Sequence, residues 1–235
     1  MPATPQLWAI VAAFACFGLA GMARADETPL PSDLTEEVAR SACPPGPTVA
    51  PDSHCAVAGF GVVGRVEARE FVYGLYSDNT ANGDYTLRTA VVIYERQPDG
   101  KLRSLISAGD PGDIYAEPKL LSTPGRILLH LPGYEDGTGN FNVEKLYVWH
   151  DGAWQPVDLD AWRKDLARKL PAGYEIWKGV FPDYVKMTAA TPLWRAKTDG
   201  NCCPTGGRAD IVLAWRGDRL MLNSVKFSLG AKYAK

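Results

Sequence analysis

The chain has 235 residues, with 25 lysines and arginines against 27 aspartates and glutamates, for a formal net charge of −2. That balance offers no basic stripe for a phosphate backbone, so nucleic acid is excluded from the expected partners. Almost half of the residues are apolar, enough for a packed core in one large β domain or two small ones.

The chain opens on an apolar run, Leu7 to Gly21, followed by Met22-Ala23-Arg24-Ala25. An export signal needs an apolar core of about 7–15 residues, with small residues first and third before the cut. Ala23 and Ala25 supply that pair, so residues 1–25 read as a signal peptide cut before Asp26. The run is shorter than the roughly 20 residues of a spanning helix, and Phe14-Ala15 before Cys16 is a poor lipobox. A periplasmic or secreted chain with no stable membrane span is therefore expected. Cleavage removes only Arg24 from the charge count, leaving a net charge near −3.

Residues 26–56 read as a Pro-rich segment with one short helix, Leu34 to Ser41, capped by Asp33 with Glu36 completing a capping box. The cysteine loop 42–56 ends it. From residue 57 to 235 the text is strand, turn, strand. Phe71, Tyr73 and Leu75 alternate with Val72 and Tyr76; Leu87, Thr89, Val91 and Ile93 alternate with Arg88, Ala90, Val92 and Tyr94. This is the period-two strand signature. Asp99-Gly100, Asp151-Gly152 and Gly217-Asp218 each join two strand-like runs, as in two-residue hairpins with positive φ. Further strands are expected at Ile127–Leu131 (a central one, being apolar nearly throughout), Tyr174–Trp177, Tyr184–Ala189 and Val225–Leu229. One helix interrupts them. Asp160 caps it, Trp162, Leu166 and Leu170 form its buried stripe, Asp165 and Lys169 pair, and Pro171 with Gly173 stops it. The expected fold is mainly β: an antiparallel meander sheet, as a sandwich or partly open barrel, with one or two short helices.

Four cysteines remain after cleavage, and an even number in an oxidising compartment favours disulfides. The preferred pairing is Cys43–Cys55 with Cys202–Cys203; the alternative ties Cys43 and Cys55 separately to Cys202 and Cys203. A bridge between neighbours is strained, because consecutive Cα atoms sit about 3.8 Å apart, below the usual range of about 4.4–6.8 Å.

The most distinctive text is Asp199-Gly200-Asn201-Cys202-Cys203-Pro204-Thr205-Gly206-Gly207-Arg208. A paired-cysteine turn followed by two glycines can aim several backbone N–H groups at one anion, with Arg208 adding charge. Asn201, Thr205, Gly206, Gly207 and Arg208 are the candidate ligand contacts, against the plainer reading of a stapled turn that seats the last hairpin. Over Asp199 to Leu222 the sequence resembles uncharacterised bacterial exported proteins and lipoproteins that carry a CCP-Ser/Thr-Gly element ahead of a C-terminal β-hairpin. Cys202, Cys203, Pro204, Thr205 and Gly206 match that element. The resemblance implies export and a closing hairpin, and brings no activity.

Loop 133–144 is the second candidate, through Asn140 and Asn142. It clusters oxygen ligands as calcium prefers but lacks the Asp-x-Asp-x-Asp-Gly spacing. His54, His130 and His150 are scattered and read as structural. No cofactor is expected, there being no nucleotide fingerprint and no Gly-x-Ser-x-Gly elbow. The leading function is non-catalytic: an envelope or ligand-binding protein whose partner is a small molecule or an envelope component. The alternatives are a hydrolase of cell-wall or extracellular polymer using Glu135, Asp136 and Glu144, and thiol or metal handling at Cys202 and Cys203. Tryptophans can supply a ligand platform, and Trp149 and Trp154 are placed to meet across the Asp151-Gly152 hairpin.

Overall fold

The computed structural model describes residues 34–43, 54–79, 88–110, 112–200 and 202–230. The leader, Asp33, most of the cysteine loop, Leu87 and Asn201 lie outside the described residues. Helix α1 spans Glu36–Ser41 and is followed by β1 (His54–Val66), β2 (Arg69–Asn79), β3 (Arg88–Arg96), β4 (Leu102–Ala108) and β5 (Asp113–Tyr115). Next come β6 (Lys119–Thr123), β7 (Arg126–Leu131), β8 (Gly133–Glu135), β9 (Lys145–His150) and β10 (Ala153–Pro156). After α2 (Asp160–Lys169) the chain forms β11 (Tyr174–Glu175), β12 (Thr188–Pro192), β13 (Trp194–Arg195), β14 (Gly207–Arg216) and β15 (Arg219–Leu229).

The fold is mainly β, and its sheets are antiparallel apart from one parallel pairing of Thr89 with Ile114. Strands β1, β2, β3, β5 and β8 lie side by side in the first sheet, with β4 also on β3; the second runs β10-β9-β7-β6 and the third β12-β14-β15. The second sheet is the middle layer, and β7 shows why its sequence is apolar throughout. Leu129 and Leu131 point into a core with Phe71, Val91 and Ile93 of the first sheet. Leu128, on the opposite face, joins Trp162 and Leu166 of α2 and Ile211, Leu213 and Leu220 of the third sheet. A strand covered on both faces has no solvated side to alternate with. Each such leucine contributes about 1.5–3 kcal/mol of burial.

A third core lies on the outer face of the first sheet, where α1 covers it. Ala39 packs against Val72, Tyr76, Val92, Tyr94 and Leu102, with Cys43 and Cys55 beside them. The Cys43–Cys55 disulfide, with Cα atoms 6.0 Å apart, pins the helix to β1, and Leu34 exchanges backbone hydrogen bonds with Leu102. The Tyr76 hydroxyl donates to the Ala39 carbonyl at 3.1 Å. It must then accept from the Tyr94 hydroxyl, 2.8 Å away. Tyr76→Phe leaves both partners buried and unsatisfied, and is expected to cost about 1–3 kcal/mol, read as a lowered denaturant midpoint with unchanged slope.

Several expected boundaries shift for local reasons. Thr35, not Asp33, caps α1: its side chain accepts from Val38 N. Asp158, two residues before Asp160, caps α2, accepting from the N–H groups of Asp160 and Ala161. On α2, Asp165 pairs with Arg168 rather than Lys169. The strand expected at Tyr184–Ala189 begins only at Thr188, because Asp183 Oδ1 accepts from Val185 N and Lys186 N and folds that stretch into a turn. The strand expected at Tyr174–Trp177 shrinks to Tyr174–Glu175, because only these two residues find partners, Arg195 and Trp194.

Of the three expected hairpins, Asp151-Gly152 has both central residues at positive φ (48° and 74°) and Gly217-Asp218 has only Gly217 there (58°), as the two primed turn types require. Asp99-Gly100 belongs instead to a longer turn in which Gly100 N donates to Gln97 O and Pro98 takes the first corner. Trp149 and Trp154 do meet across their hairpin, with ring centroids 5.0 Å apart.

Candidate functional site

Two loops carry the sequence-derived candidates, and the fold treats them differently. In the 199–208 loop the Cys202–Cys203 disulfide is present, but the N–H groups of Cys203, Thr205 and Gly206 have partners in the loop or in Leu193. Cys203 N donates to Gly200 O, Gly206 N to Leu193 O, and Thr205 N to Asp199 Oδ2 at 2.7 Å. The Thr205 hydroxyl also donates to Asp199, at 2.5 Å. A Cβ on Gly206 would lie 2.5 Å from Leu193 O, so this glycine serves close backbone packing. Gly207 (φ 105°) starts β14. Arg208 is exposed and turned onto Asp210 Oδ1 at 2.6 Å. The anion nest read from the sequence is thus a stapled turn, built around Asp199. Asn201 lies outside the described residues.

Desolvation would raise the Asp199 carboxyl, but the hydroxyl and N–H of Thr205 and the N–H and charge of Arg195 outweigh it and hold the group at about 2. A lowered carboxyl contributes fully above its ordinary range and is lost as pH falls through the folded-state value. Carbon-detected NMR titration is therefore expected to show Asp199 ionising near pH 2, whereas a midpoint near the ordinary aspartate value would show that the turn is not closed this way.

Loop 133–144 is a hairpin folded onto the 178–180 segment. Glu135 N donates to Phe141 O, and Gly179 N donates to Gly139 O at 3.0 Å. A side chain at Gly179 would collide with the Asn140 carbonyl, so glycine permits this approach. Asn140 takes positive φ (44°) at the loop tip. Asn142 clamps the two segments: its Oδ1 accepts from Val180 N at 2.6 Å and its Nδ2 donates to Val180 O at 2.8 Å. Among the described residues no His, Cys, Asp and Glu group could hold a metal ion.

Beneath the clamp lies Glu144, whose side chain is 1% exposed. It receives hydrogen bonds from His130 Nε2 (2.9 Å), Arg163 (2.9 Å), the Tyr184 hydroxyl (3.0 Å) and Asn142 Nδ2 (3.3 Å). A carboxylate only accepts, so His130 carries a proton on Nε2. Burial, and then the Glu144 charge, push the Tyr184 hydroxyl up, which keeps it protonated and donating. Glu144 is thus the hub of a buried network joining β7, the 142–144 segment, α2 and Tyr184. Glu135 and Asp136, its supposed companions, are exposed near the hairpin tip. The carboxyl that burial does raise, Asp113, faces Glu135 across the β5–β8 pair and lines none of the grooves described below.

Arg163 and Asn142 form a wall between two depressions. One, of about 310 Å³, is polar and includes Glu144, Lys145, Asp158 and Asp160. The other, of about 580 Å³, runs between α2 and the 174–180 segment, lined by Leu166, Ala167, Leu170, Ile176, Val180 and the rings of Phe141, Tyr174 and Trp177. Its mouth carries an aromatic row. Phe141, 42% exposed, meets Trp177 edge-on at 6.0 Å, and Trp177 stacks on Trp194 at 5.2 Å and 24°. The Trp194 indole N–H donates to Gly200 O. The row therefore bridges the two loops that the sequence singled out. The other described tryptophans, Trp149, Trp154, Trp162 and Trp215, pack with the cores.

Against protein-family models, curated proteins and solved structures the chain finds no match.

Proposed function

We propose that this chain is exported, is cut before Asp26, and serves as a non-catalytic envelope or ligand-binding protein whose site is the groove between α2 and the 174–180 segment. The observation that carries this reading is the groove itself. Its volume of about 580 Å³ falls in the range of small-molecule sites, about 300–1,000 Å³, and its apolar walls end in an aromatic row of exposed Phe141 and half-buried Trp177 and Trp194. Its polar wall is held rigid by the Glu144 network, and preorganisation of that kind lowers the cost of binding. The two disulfides fit an oxidising compartment, and among the described residues no helix is long and apolar enough to cross a membrane. The resemblance of the Cys202-Cys203-Pro204-Thr205-Gly206 element to exported proteins supports the same location.

The hydrolase reading has less support. Of its three acids, two are exposed at a loop tip and the third is enclosed by four partners. Thiol or metal chemistry is disfavoured by the bonded state of Cys202 and Cys203.

Native and denaturing mass spectrometry of the chain, isolated after expression with its own leader, tests the proposal in one experiment. The denatured mass is expected to begin at Asp26 and to be four hydrogens below that of the fully reduced chain. The native spectrum is expected to show a small-molecule adduct that the groove-filling variant Ala167→Trp loses. Retention of Met1 with free thiols would contradict the location, and an adduct unchanged in Ala167→Trp would contradict the site.

A further inference from the structure

The geometry points to an acyl chain as the occupant of this groove, an inference that rests on the groove being the binding site. Most of the polar side-chain atoms on its wall are already committed. The Asn142 amide holds both backbone groups of Val180 and touches Glu144. The Arg163 guanidinium is bonded through Nη2 to Glu144, has Nη1 3.8 Å from Asp160, and keeps its Nε buried without a partner. The Lys178 ammonium donates to the Thr138 carbonyl. Among the lining residues, exposed Glu175 is the charged group left to face solvent.

A saccharide ring brings several hydroxyls that need partners once buried, and this wall has few to give. Aliphatic walls of Leu166, Ala167, Leu170, Ile176 and Val180 ask nothing of a ligand except that it be hydrocarbon. The charges also balance: Glu144 neutralises Arg163, and Lys178 is matched by Glu175. No excess of either sign draws a charged group inward. The chain of an amphiphile would lie along α2, with its head group left in water at the Phe141–Trp177 mouth, where aromatic rings suit a boundary between apolar and wet.

The test is titration of the purified full chain with octanoate, decanoate and dodecanoate below their micelle-forming concentrations, followed by calorimetry and tryptophan emission. Phosphatidylcholine vesicles and chitotetraose form separate arms. Affinity is expected to rise about fourfold for each added methylene, with blue-shifted emission, and to be lost in Ala167→Trp. Ala167 is an exposed position on α2; the milder Ala167→Met, expected to weaken binding without abolishing it, serves if the tryptophan variant does not unfold cooperatively.

Affinity independent of chain length, or chitotetraose binding that Ala167→Trp removes, would overturn the acyl assignment while leaving the groove as the site. Alkanoate binding equal in the parent and both variants would overturn the groove as well. Sedimentation with vesicles without binding of monomeric alkanoates would replace the inference with docking on a bilayer surface. No binding in any arm would overturn the acyl assignment.

Discussion

Glu144→Leu is expected to lower the unfolding free energy by about 3 kcal/mol. The reason is the partners left behind. Arg163, His130, Tyr184 and Asn142 converge on this one carboxylate, and three different parts of the chain would keep buried donors with no acceptor. The figure lies at the low end for a broken buried ion pair because the Arg163 side chain is 25% exposed and can turn partly to water. Glu144→Gln keeps one carbonyl acceptor and should lose less. The double variant Glu144→Leu, Arg163→Met should recover part of the loss, since a buried ion pair exchanged whole for apolar groups is often neutral. Urea unfolding at neutral pH gives all three values; a Glu144→Leu chain as stable as the parent would show that the network is not formed.

Asn142→Ala is the second large effect and connects stability to binding. It removes the acceptor for Val180 N and the donor to Val180 O, leaving two backbone groups of a buried residue unpaired at a cost of about 2–4 kcal/mol. The 178–180 segment forms one side of the groove, so its release should also weaken apolar ligands by about tenfold, by adding an ordering cost to binding. Asn142→Asp is no rescue. It keeps the acceptor for Val180 N but loses the donor to Val180 O and sets a second carboxylate against Glu144. Thermal unfolding and ligand titration on the same samples separate the two effects; a fall in stability with unchanged affinity would detach the clamp from the groove.

Much of the fold could be read from residue order. The alternation in Phe71–Tyr76, the unbroken apolar text of Ile127–Leu131 and the Trp162–Leu166–Leu170 stripe each encode burial by a single local element, and local periodicity reports that directly. What failed was local competition. Asp183 accepts two N–H groups that a strand would have used, and Asp158 reaches α2 ahead of Asp160; short polar side chains offer the backbone such alternatives, and the choice depends on tertiary context.

The site was legible only in fragments. Loop 133–144 was singled out for its cluster of oxygen ligands, and Asn142 proved to clamp Val180 from within the groove wall. The 199–208 loop suggested an anion nest, but its donors had acceptors in Leu193 and Asp199, which composition could not reveal. Arg163 and Ile176 looked like ordinary residues of a helix and of the segment after it, and Trp177 was one of several tryptophans able to supply a platform. They become a groove wall only when α2 and the 174–180 segment are brought beside the hairpin. His130 read as structural, and its ring does serve Glu144, fourteen residues away.

Hydrogen exchange with and without saturating N-phenyl-1-naphthylamine, a neutral apolar probe, locates the site most directly. Slowed exchange confined to residues 141–142, 163–170 and 174–180 is the predicted result. Protection centred on residues 199–208, or spread over the outer sheets with none along α2, would contradict it.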